Sequence, residues 1–205
     1  MSPAEPLQSR PGDRLRPPYR VVGEPPMPQR FQLEKFEVQG QAIMSVVSAM
    51  ALIQHRALKI LADRGITPLE KDSWYPLARL LEVFKTIQTE IGPNTVKAVG
   101  RKIPENAQFP RNLTTLEDGF RSIDVAYRMC HRGPGSVGGY QYMPTGDRTA
   151  QMICDNPYPC ALDEGLLEAI GERFRPIDSL WVRVEHQPGS CRKQGADFCT
   201  YNLSW

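Results

Sequence analysis

The residues best equipped for chemistry are four cysteines in the last third of the chain: Cys154, Cys160, Cys191 and Cys199. Five residues lie between the first two, thirty between Cys160 and Cys191, and seven between the last two. Glu185 and His186 come just before Cys191. Thiolate, imidazole and carboxylate are the donors that Zn2+ gathers into a tetrahedron, so metal binding is one reading. The gaps are looser than a two-residue knuckle, and buried reduced thiols that pack as small hydrophobes are the other. Cys130 ends an apolar helical stripe and reads as core. The three histidines are His55, His131 and His186. His55 reads as a helix-surface residue. His131 follows Tyr127 and Cys130 and either lines a pocket or simply interacts with the helix C-terminus; Tyr140 and Tyr142 share one face of a strand. Aromatics of this kind are either plain core or the wall of an apolar ligand site. No G-x-S-x-G elbow supports a nucleophilic serine. Gly133-Pro134-Gly135-Ser136-Val137-Gly138 matches G-x-G-x-x-G, but it follows a helix and opens a strand, the reverse of a dinucleotide site. No phosphate-binding G-x-x-x-x-G-K-[ST] run exists.

These groups need elements to position them. Ile43, Val46, Val47, Met50, Ile53, Ala57, Leu58 and Leu61 recur at helical spacing and predict one long helix, closed by Gly65-Ile66. A second helix is predicted from Trp74, Leu77, Leu80, Leu81, Phe84, Ile87 and Ile91, ending at Gly92-Pro93, with a short piece over residues 94–102. A third begins at Thr114, where Thr114 and Glu117 fit a capping box, and carries Leu116, Phe120, Ile123, Tyr127 and Cys130. The pattern then changes to period two. Strands are predicted over 136–143 and 148–154 around a turn at 144–147, then a helix capped by Asp163, then strands over 180–185 and 198–205. Helices first and a hairpin–helix–hairpin afterwards predict an α+β fold with a mostly antiparallel sheet.

Composition narrows the function. With 205 residues, 25 Lys plus Arg and 23 Asp plus Glu, the chain carries a formal charge of only +2, unlike the basic excess of a dedicated nucleic-acid binder. No apolar run approaches the ~20 residues that cross a bilayer. The start lacks a secretory pattern, so a cytoplasmic location is expected, where five cysteines suggest metal or redox roles over disulfides. Residues 1–30 hold eight of the 19 prolines, and five Arg against three acids give +2 there, leaving 2 − 2 = 0 for the rest. That segment reads as a disordered tail, and residues 31–205 as a single domain.

The run Asn156-Pro157-Tyr158-Pro159-Cys160, the segment Asp163-Glu164-Gly165-Leu166-Leu167, the strand Val182-Arg183-Val184-Glu185-His186 and the ending from Cys191 to Tyr201, with Gly195 inside a Cys-x7-Cys, together resemble the 4-vinyl reductase domain. That family shares a superfamily with haem–nitric-oxide-binding domains and small subunits of a Golgi transport-tethering complex. The resemblance spans residues 40–205, its specific motifs only 154–205. It implies an α+β domain that dimerises through its helical half and, in bacterial regulators, senses phenols and related aromatics in an apolar pocket. It also implies a structural zinc site of three Cys and one Glu. Cys160, Cys191 and Cys199 fall on the three thiol positions. The family's Glu lies three residues before the second Cys, where this chain has Pro188, so Glu185 or His186 takes the fourth place. Tyr127, His131, Tyr140 and Tyr142 are the expected ligand-binding residues. The leading expectation is a non-enzymatic sensing module for a small apolar or aromatic molecule, acting as a homodimer through a separate output protein. The alternative is a tetrapyrrole-binding or biosynthesis accessory protein. A scaffold without small ligand is third. The Tyr-x-Ser-x-Arg signature of the haem-binding relatives does not occur.

Overall fold

A computed structural model describes residues 32–205, so the expected tail lies outside the described residues. The helical half holds β1 (Glu37–Gln39), α1 (Gly40–Ala49), α2 (Gln54–Asp63), β2 (Trp74–Pro76), α3 (Leu77–Glu90), α4 (Pro93–Asn106) and α5 (Leu116–Cys130). The second half holds β3 (His131–Arg132), β4 (Gly139–Gly146), β5 (Thr149–Asp155), α6 (Cys160–Arg173), β6 (Arg183–His186) and β7 (Cys199–Ser204). This is the α+β class that the hydrophobic pattern predicts. The described residues form two antiparallel sheets, a small one in the order β2-β1-β3 and a larger one in the order β4-β5-β7-β6.

The long first helix is broken. A 3-10 turn at Ala51–Ile53 separates α1 from α2, and the two meet at 85°. Neither Pro nor Gly marks the bend; tertiary packing makes it. Ile43 and Val46 bury on α1 and Met50 at its C-terminal cap, and Ala57, Ile60 and Leu61 bury on α2, while Ile53 and Leu58 are left exposed. Trp74 is also not helical. It pairs with Gln39 in the small sheet, beside Tyr75, which the following Pro76 pushes toward extended backbone. The capping box of α5 sits one residue late: Thr115 Oγ1 accepts from Asp118 N at 3.0 Å, and Asp118 Oδ2 accepts from Thr115 N at 3.2 Å. The strand β4 continues through Pro144 to Gly146, so the hairpin turn is Asp147-Arg148.

The helices α4 and α6 cross backbone to backbone. A Cβ on Gly100 would stand 2.1 Å from the Leu162 carbonyl oxygen, and one on Gly165 would stand 2.0 Å from that of Lys97. Beside the crossing, Lys97 pairs with Glu164 and Glu168, each at 2.8 Å, and Arg101 pairs with Glu168 and Glu172. This close seam brings the start of α6 and its Cys160 against α4.

Candidate metal centre and buried cavity

Three turns converge on one point. Pro159 starts α6, with Cys160 as its first residue. Cys199 opens β7 opposite Cys154 of β5. Cys191 precedes a 3-10 turn at Arg192–Gln194. The Cys160 sulfur lies 3.3 Å from that of Cys199 and 3.7 Å from that of Cys191. His186, the last residue of β6, completes the group: one donor atom from each of Cys160, His186, Cys191 and Cys199 fits within 4.8 Å of the others. Its ring stacks on Tyr201 at 4.6 Å, and its buried Nε2 has no hydrogen-bond partner among the described residues. Glu185 is one strand position away. It is exposed and faces Arg183 at 3.7 Å, so it stays outside the group. Cys154 is fully buried but also outside it, and burial pushes its thiol well up. Within the cluster, the contact with Cys199 and the nearby Arg192 guanidinium outweigh burial and hold the Cys160 thiol below its usual range.

The second feature is a cavity between the helical half and the large sheet. It encloses about 60 Å3 and is walled by residues including Ile43, Val46, Phe84, Val99, Ile123 and Leu166, with Tyr127, His131, Tyr140 and Tyr158 at one end. Every phenol there is committed to protein. Tyr127 donates to the Val137 carbonyl (2.9 Å), Tyr140 to Asp163 (2.8 Å) and Tyr158 to His131 Nε2 (2.6 Å). His131 Nδ1 faces the Tyr127 carbonyl at 2.7 Å; a carbonyl only accepts, so this nitrogen carries the proton and Nε2 is the acceptor. Burial lowers the His131 pKa to about 4, so its ring is neutral. Burial likewise raises the Tyr127, Tyr140 and Tyr158 phenols. Tyr142 is not in this wall. Its ring stacks on Phe120 at 6.0 Å, with Arg121 over it at 4.9 Å.

A buried ion pair lies between the two features. Asp163 is not the helix cap that its position suggests; it is fully buried within the first turn of α6 and paired to Arg192. Asn156 Nδ2 donates to the same carboxylate at 3.1 Å. Sequence reasoning missed the roles of Tyr158, Asp163 and Arg192. Their signal was weak: two charged residues and a tyrosine close to cysteines in the chain.

No family model and no curated protein matches the sequence. Solved structures do match the fold. An H-NOX protein from S. oneidensis in the Fe(II) ligation state aligns with a TM-score of 0.57 at 13% identity, over 80% of this chain and 94% of that one. The H-NOX of T. tengcongensis gives 0.55 at 12%, again over 80% and 94%. The H-NOX from Shewanella woodyi, determined in solution in an Fe(II)CO state, gives 0.52 at 15%, over 80% and 93%. The chain therefore has an H-NOX-like fold. Among the described residues, no single helix is long and apolar enough to cross a membrane.

Proposed function

We propose that this chain is a sensing module for small apolar molecules, with a structural zinc ion held by Cys160, His186, Cys191 and Cys199. The observation that carries the reading is the cavity: an apolar space whose tyrosine and histidine polar atoms are already satisfied by protein. Such a wall offers burial and shape but no free hydrogen bond, which selects apolar ligands. Its volume is below the roughly 150 Å3 that admits benzene, so a single ring enters only with movement of the wall.

The donor set suits zinc. Three thiols and an orphaned buried imidazole nitrogen are what a closed Cys3His site requires, and an unsatisfied buried nitrogen is otherwise costly. Zinc bound there supplies a cross-link: four protein ligands leave no position for an activated water. The chain's residues do the rest. Pro159 sets the start of α6, and Tyr201 fixes the Cys160 carbonyl by donating to it at 2.7 Å. The run from Asn156 to Cys160 and the Cys191–Cys199 pair favour a 4-vinyl reductase-like module within this fold. His186 takes the fourth place in preference to Glu185.

A tetrapyrrole pocket is the second reading, favoured by the Fe(II) states of the fold neighbours. Against it stand the small cavity and His131, which has no free nitrogen for iron. We further propose a non-catalytic homodimer that signals through a separate protein in the cytoplasm. Leu52, Ile53 and Leu58, exposed at the α1–α2 bend, supply an apolar face for the partner copy. One purified sample tests these readings by metal content, visible spectrum and benzene-induced chemical shifts. About one zinc per chain, no Soret band and shifts at Phe84 and Tyr158 are expected. A coloured sample with bound haem overturns the apolar-sensor reading.

A further inference from the structure

We propose that Arg192 is the positioning residue that couples the metal centre to the cavity, so that zinc binding and cavity order strengthen each other. The proposal rests on the metal reading above. Arg192 follows Cys191 directly, and its amide donates to the Cys199 sulfur at 3.5 Å. Its guanidinium turns inward. It donates to the carbonyls of Cys154 and Asn156 at 2.7 Å, to that of Tyr158 at 2.9 Å, to Asn156 Oδ1 at 3.2 Å and to Asp163 Oδ2. The other Asp163 oxygen accepts from Tyr140. Tyr140 and Tyr158 both wall the cavity, and Tyr158 also orients His131. A single planar fork thus sets the backbone under one wall tyrosine and the hydroxyl partner of another.

The direction of coupling follows from where Arg192 is anchored. It sits on the loop between β6 and β7, whose only regular structure is the 3-10 turn that begins with Arg192 itself. A metal on Cys191 and Cys199 clamps both sides of that residue. The clamped loop holds the guanidinium in register with Asp163, and Asp163 holds Tyr140. Linkage makes this reciprocal: whatever orders the cavity wall tightens metal binding by the same factor. Lysine cannot replace the function, because it lacks the rigid fork of donors.

Hydrogen exchange of the full chain, zinc-loaded and chelator-stripped, reads this without any ligand. In the wild type, zinc should slow exchange at Gly139–Tyr142 by about tenfold or more, within the usual range of coupling between sites. Arg192→Lys should still retain one zinc and protect residues 186–199, but slow Gly139–Tyr142 less than about twofold. Tyr140→Phe, which cuts the link to Asp163 and leaves Arg192 in place, should lose the same distant effect. The proposal is overturned if zinc leaves Gly139–Tyr142 unaffected in the wild type, or if Arg192→Lys transmits as fully as arginine. A wild type that retains no zinc overturns the metal reading and this coupling together, and metal analysis distinguishes that failure from failed transmission.

Discussion

His131 and His186 occupy similar positions and have opposite fates. Each ends or begins a strand, and each stacks on a tyrosine, Tyr127 at 4.1 Å and Tyr201 at 4.6 Å. His131 has both ring nitrogens engaged by protein, whereas His186 keeps a buried Nε2 with no partner among the described residues. The first is a finished part of an apolar wall. The second is a donor waiting for an acceptor of its lone pair. What separates the two histidines is the unspent nitrogen, which makes His186 the candidate ligand, and neither burial nor stacking distinguishes them.

The sharpest way to break this contrast is to remove each imidazole and count metal. His186→Ala should lower zinc affinity by more than about 100-fold, since even supporting residues of a metal site are worth about 10–100-fold. His131→Phe should leave the metal content at one per chain. Next in size, Arg192→Ala strands the buried Asp163 carboxylate and should lower stability by about 3–5 kcal/mol in denaturant unfolding. On the cavity side, Leu166→Ala should cost about 2–5 kcal/mol and enlarge the space, so that benzene binds more tightly than to the wild type. His131 also predicts a pH dependence. Its folded pKa is depressed from the ordinary 6.5 to about 4, so between these values the unfolded chain takes up a proton that the folded chain refuses. Stability therefore rises with pH through that window, by about 3 kcal/mol in all, and His131→Phe should flatten the slope. Smallest of all, Glu185→Gln should change zinc affinity less than about twofold and stability within about 0.5 kcal/mol, because Glu185 is exposed and outside the cluster.

Much of this architecture was legible in the chain. The stripe from Leu116 to Cys130 and the alternation of Cys199, Tyr201 and Leu203 translate directly into buried faces, because local period and burial agree there. The bend between α1 and α2 was not legible, since the apolar pattern continues through it and only packing rotates the second half. Trp74 was misread because helical spacing to Leu77 outweighed the extended bias of a residue near Pro76. At the site, the cysteines announced themselves by type. Glu185 and His186 were inseparable by distance along the chain, and strand alternation decided which one faces inward. Tyr142 failed as a cavity residue although it shares a strand face with Tyr140. Two positions along β4 carry it past the cavity to Phe120. Asp163 and Arg192 were hidden because a buried charge pair looks like any two surface charges until the chain folds.

The glycine crossing of α4 and α6 has a consequence for how this molecule can change. Cys160 sits one helical turn before the crossing on α6, and Val99, next to Gly100 on α4, faces the cavity. Gly100 itself has no room for a methyl group against the Leu162 carbonyl. A single alanine there would act as a wedge, prying Cys160 from its neighbours and widening the cavity in one stroke. On the proposed reading, metal retention and ligand size, which look independent, would then change together under this one substitution.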